Sequence, residues 1–174
     1  MANNCWYTLR VVSPTKESID RLLSIMQYKD KDYYIYRVFS AEYDDEPEQG
    51  ADGLWTAVIV GDVAWALNMW CKGFTTEEER NSHKTDTGTQ YRTLNDLCKA
   101  FGLGIELWGA EPDIGFQQHF YINKYGETCI DEEVEWIPDD DSLDPRIGGF
   151  GKRYETWLDN SFYKIEATET IKKW

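Results

Sequence analysis

Apolar positions alternate from the start of the chain. Cys5, Tyr7, Leu9 and Val11 interleave with Trp6, Thr8, Arg10 and Val12. This period of two predicts a strand with apolar residues on both faces. Ser13-Pro14 offers a helix cap followed by proline at the first helical position. Ile19, Leu22, Leu23 and Met26 then recur at i, i+3, i+4 and i+7, predicting a helix with one buried stripe. Tyr33 to Phe39, rich in aromatic and branched residues, reads as a second strand. Leu54 to Val60 reads as a third. Gly61-Asp62 reads as a turn leading into a fourth strand, Ala64 to Cys71, that closes a hairpin.

The segment Gly73 to Gly88 is polar and without periodicity, a surface loop with a short helix at Thr76–Arg80. Tyr91, Leu94, Leu97, Cys98 and Phe101 return to helical spacing within Thr89–Phe101, and Gly102 is a natural stop. Leu103, Ile105 and Leu107 alternate with Gly104, Glu106 and Trp108 in a fifth strand. Phe116 to Asn123 forms the next, with His119 on the face shared by Gln117 and Tyr121. Lys124-Tyr125-Gly126 turns it into Glu127–Ile130. Phe162 to Ala167 reads as a last strand, and the glycine cluster Gly148-Gly149-Phe150-Gly151 as a flexible turn.

Two helices cannot bury both faces of a parallel sheet, and the connections between strands are short. The expected fold is therefore α+β, a ferredoxin-like antiparallel sheet with two helices packed on one face and additional C-terminal strands. The 174 residues suit a single domain, with a core over about 3–135 and an extension over 136–174.

Charge changes the picture. The chain holds 32 acidic and 18 basic residues, a formal net charge of −14. That argues against the Lys/Arg footprint needed to hold phosphates, so no direct nucleic-acid binding is expected. It also disfavours docking on anionic lipid, so no membrane partner is expected. The acid is concentrated in two blocks, Glu42–Asp52 and Asp131–Asp144, both of which read as loops. Asp44, Asp45, Glu46 and Glu48 in the first block, and Asp139, Asp140 and Asp141 in the second, are the candidate partner-binding residues.

Candidate chemistry is sparse. Cys5, Cys71, Cys98 and Cys129 form no C-x-x-C pair, so zinc-ribbon and iron–sulfur spacings are absent. They read as reduced packing residues. No phosphate-binding or dinucleotide-binding glycine motif is present. No cofactor, no metal and no catalytic residue is expected. The histidines, His83 and His119, have no nucleophile paired with them by spacing. Glu106, Glu111 and Asp113 are neighbours in sequence, and carboxylates this close can divide acid and base roles. They read here as turn and sheet-end residues.

Trp55, Trp65, Trp70, Trp108 and Trp136 fall on or beside predicted strands, chiefly as packing residues. A sheet covered on one side leaves its other face free for recognition. Trp65, Trp108, Glu111, Asp113 and His119 are the candidate ligand-binding residues for a planar, nucleotide-like molecule.

Several stretches resemble the YubB ferredoxin-like domain family of phage, plasmid and other mobile-element proteins. They are Asn4-Cys5-Trp6 with Thr8 and Leu9, Gly61-Asp62-Val63-Ala64-Trp65, and the run Ile105 to Phe116. Gln118-His119-Phe120 and Asn123-Lys124-Tyr125-Gly126-Glu127 complete the set. Members often place Trp before Cys, whereas this chain has Cys5 before Trp6. The resemblance implies a mobile-element origin, the cytoplasm of a bacterial host, and no agreed catalytic residues.

With the charge pattern, these observations lead to the expectation of a non-enzymatic binding protein. In one reading it is an acidic anti-defence inhibitor that occupies a basic nucleic-acid-binding surface of a host protein. In the other it sequesters a small nucleotide-like ligand on its aromatic sheet face.

Overall fold

The computed structural model describes residues 4–64, 66–71, 78, 88–111 and 116–135. Among the described residues the elements run β1 (Asn4–Ser13), α1 (Lys16–Met26), β2 (Tyr33–Tyr34), β3 (Val38–Gln49), β4 (Trp55–Ala64), α2 (Asn68–Cys71), β5 (Gln90–Tyr91), α3 (Leu94–Phe101), β6 (Gly104–Glu111), β7 (Phe116–Ile122) and β8 (Thr128–Glu135). Six strands form one sheet in the order β3-β4-β1-β6-β7-β8, every neighbouring pair antiparallel. β2 and β5 pair separately and in parallel. The chain is thus α+β with a mainly antiparallel sheet.

Register explains the core. Leu9 pairs with Ile59 on one side and Leu107 on the other, and Leu107 pairs with Phe120. These four side chains form one row across the sheet. They share a buried cluster with Ile19, Leu22, Ile25 and Met26 of α1 and Leu94, Leu97 and Cys98 of α3. Helix α3 is set by its ends. Thr93 and Asp96 satisfy each other's backbone N–H in a capping box, and Gly102 closes the helix at φ 66°.

The structure departs from the sequence reading at several places. The cap of α1 is Thr15, whose Oγ1 accepts from Ser18 N, because strand pairing with Trp55 claims Ser13. Tyr33 to Phe39 is not one strand. Arg37 adopts φ 59°, which bends the chain between β2 and β3, and its carbonyl accepts from Ala64 N.

Gly61-Asp62 is not a turn, since β4 runs through it to Ala64 and the predicted fourth strand is helix α2 instead. Gly61 is required by close approach. A Cβ there would strike the Ser40 carbonyl and lie 2.8 Å from the Tyr7 hydroxyl, which itself donates to that carbonyl. Gly61→Ala is accordingly expected to cost about 2 kcal/mol of stability. Urea unfolding checks this, and a change below about 0.5 kcal/mol would contradict the packing described.

The acidic blocks are not loops where they are described. Glu42 to Gln49 lies in β3, and Asp131 to Glu135 in β8, the two outer strands of the sheet. Carboxylates have low strand propensity, but that preference reflects burial and neighbours more than backbone. At an edge the side chains reach water while the main chain pairs inward. The loop with its short helix at 76–80, the glycine cluster at 148–151 and the strand at 162–167 lie outside the described residues, apart from Glu78.

Candidate functional site

Two features stand out, an acidic edge and a buried polar face. Strand β3 slips register against β4 between Val38 and Ser40, Tyr43 and Asp45, and Asp45 and Glu48. Each slip inserts a residue and re-aims the side chains around it. Strict alternation would bury every second residue. Instead Asp44, Asp45 and Glu46 are exposed in succession, and Glu48 with them. Pro47 is tolerated because an edge position needs no donor.

The strand is anchored below this run. Gln27 Nε2 donates to the Ala41 carbonyl at 2.8 Å, and the Tyr43 hydroxyl donates to Asp20 at 2.8 Å. Phe39, the extra residue of the first bulge, is 56% exposed, and Tyr28 is 52% exposed. The Tyr28 hydroxyl accepts from Val38 N, placing the ring at the start of the same edge. The opposite edge is also acidic, with Asp131 and Glu133 exposed on β8.

The second feature lies on the sheet face turned away from the helical core. Arg10 pairs with Glu106 and Glu106 with Tyr121; one row along, Thr8 pairs with Trp108, Trp108 with His119 and His119 with Glu132. Glu106, Trp108, His119 and Tyr121 are completely buried. Glu106 Oε1 and His119 Nε2 are 2.9 Å apart. Burial pushes the Glu106 carboxyl well above its ordinary value, and nearby Arg10 pulls it back only in part. Burial lowers His119 to about 3. Burial thus disfavours the charged form of both groups.

Trp108 is enclosed by this arrangement. His119 stacks on it with ring centroids 5.3 Å apart and planes 13° apart, and Arg10 lies 5.5 Å from its centroid. These partners come from β7 and β1, the strands on either side of β6. The open aromatic platform expected from the sequence is thus a buried, internally stacked cluster.

The candidate ligand residues do not form one lining. Trp108 and His119 meet, but Glu111, three residues from Trp108 on the same strand, alternates to the other face. There its neighbour in parity, Gly109, abuts Leu67 and Cys5. Trp65, Asp113, Asp139, Asp140 and Asp141 lie outside the described residues, as do His83 and Trp136. Glu106, read as a sheet-end residue, is instead the partner of His119.

Cys5, Cys71 and Cys98 are buried thiols and Cys129 is half-buried. Among the described residues no group of three or more His, Cys, Asp or Glu is placed to hold a metal. None of their helices is long and apolar enough to cross a membrane.

No family model and no curated protein matches this sequence. Among solved structures, a crystal structure of aldoxime dehydratase aligns over 77% of this chain and 36% of that one, at 11% identity and a TM-score of 0.31. The chain spans about a third of that structure's length. A likeness this slight supports no argument about fold or function.

Proposed function

We propose that this chain is a non-enzymatic binding protein whose acidic sheet edge docks on a basic, nucleic-acid-binding surface of a host protein. The carrying observation is the exposed succession Asp44, Asp45, Glu46 and Glu48 on bulged strand β3. A site shaped for phosphates would meet a run of carboxylates along this edge. Phe39 and Tyr28 supply aromatic faces for its Arg and Lys side chains.

The resemblance to the YubB family, a ferredoxin-like placement of α1 and α3, a mobile-element origin and a bacterial cytoplasmic location belong to the same reading. An anti-defence role follows from it, since defence enzymes that grip nucleic acid carry such basic surfaces. The small-ligand alternative has less support, because Trp108 is fully buried, stacked on His119 and within 5.5 Å of Arg10.

Affinity capture from host lysate tests the proposal. The full chain is expected to retain a basic nucleic-acid-binding protein at low salt and release it as salt rises. The quadruple variant Asp44→Asn, Asp45→Asn, Glu46→Gln, Glu48→Gln is expected to retain at least tenfold less. Equal retention by the two proteins would overturn the proposal.

A further inference from the structure

Three polar atoms on the second face of the sheet lack any hydrogen-bond partner although they are buried: Thr8 Oγ1, Glu106 Oε2 and Trp108 Nε1. The Trp108 and Glu106 side chains are fully enclosed, and Thr8 nearly so. Buried polar groups without partners are rare, because each forfeits about 1–3 kcal/mol of solvation. Three such atoms on one face of the neighbouring strands β1 and β6 point to a shared partner more readily than to three separate losses.

Their placement fits this. Thr8 and Trp108 are direct cross-strand partners, and Glu106 stands two residues from Trp108 on the same face of β6. Side chains so related start about 5–7 Å apart, within reach of one small molecule. The row continues past His119 to Glu132, whose Oε2 is also buried without a partner.

The chemistry of the atoms defines what fits. The Trp108 indole only donates, the Thr8 hydroxyl donates or accepts, and Glu106 Oε2 does either according to where its proton sits. The flanking charges are Arg10 at one end and Glu132 at the other, which oppose each other and leave no excess for an ion. We infer that Thr8, Glu106 and Trp108 form an internal binding site for a small neutral molecule that both donates and accepts hydrogen bonds, water being the smallest of that class. The site is independent of the acidic edge and uses none of its residues.

The test uses the purified full chain. Its Trp108 indole N–H, assigned by loss of the signal in Trp108→Phe, is expected to show an NMR cross-peak to a bound molecule. A cross-peak at the water frequency identifies water. An added mass in native mass spectrometry that disappears on denaturation identifies an organic ligand. Thr8→Val, which keeps the side-chain shape and removes one hydroxyl, is expected to weaken retention about fivefold, as for one neutral hydrogen bond. A Trp108 indole with neither a water cross-peak nor a bound mass would overturn the inference. So would a Thr8→Val protein that holds the molecule as long as the parent chain does.

Discussion

Replacing His119 by alanine is expected to destabilise the fold by about 3–4 kcal/mol. The substitution removes the ring stacked on Trp108 and leaves a cavity in a fully buried site. It also strips Glu106 Oε1 of its partner, and an unpaired buried polar group costs about 1–3 kcal/mol by itself. Glu106→Leu is expected to cost about 2 kcal/mol, mainly by orphaning His119 Nε2. The double variant Glu106→Leu, His119→Leu is expected to cost clearly less than the two single losses added, because an apolar pair needs no proton. Urea unfolding of the four proteins measures this coupling. Additive losses would show that Glu106 and His119 do not act as a pair.

The pH dependence of stability is the second large effect. In the unfolded chain Glu106 titrates near 4.5 and His119 near 6.5, whereas burial in the folded chain raises Glu106 and lowers His119 to about 3. Between pH 4.5 and 6.5 both states bind one proton, so the pair adds no slope. Above pH 6.5 the unfolded chain has lost that proton, while burial favours keeping it on Glu106 in the folded chain. Stability then falls as pH rises, by up to about 1.4 kcal/mol per pH unit, until Glu106 ionises. Below pH 4.5 the unfolded chain binds two protons and the folded chain one, so stability falls as pH falls towards 3.

Glu106→Gln removes the alkaline limb, because glutamine does not titrate. Its stability is expected to rise up to pH 6.5 and then stay level. Denaturation midpoints between pH 4 and 9 distinguish the two profiles. Parallel curves above pH 6.5 would contradict a proton kept on Glu106 in the folded chain.

Much of this architecture is legible in the residues. Alternation along Cys5–Val12, Leu103–Trp108 and Phe116–Asn123 predicts β1, β6 and β7, and helical spacing predicts α1 and α3. Gly102 acts as the predicted helix stop. Punctuation by Gly and Asp misleads at Gly61-Asp62, where glycine serves a close approach between strands rather than a turn. Acidity misleads at Glu42–Gln49, since an edge strand can carry charges that a central one cannot.

The buried pair shows a different limit. Parity alone puts Glu106 with Trp108, and His119 with Tyr121. Only register, with Trp108 opposite His119 and Tyr121 opposite Glu106, brings the carboxyl to the imidazole. Register is a property of the sheet and is not written in either strand alone. The same parity separates Glu111 from Trp108, which a grouping by nearness in sequence overlooks.

The edge remains the surface through which the chain is proposed to act, and association kinetics test it most directly. With the captured partner immobilised, the on-rate of the parent chain is measured as ionic strength rises, beside that of the variant with Asp44, Asp45, Glu46 and Glu48 neutralised. The parent on-rate is expected to fall steeply with salt, and the variant to start about tenfold slower with a much flatter dependence. The same on-rate and the same salt slope in both proteins would contradict docking through strand β3.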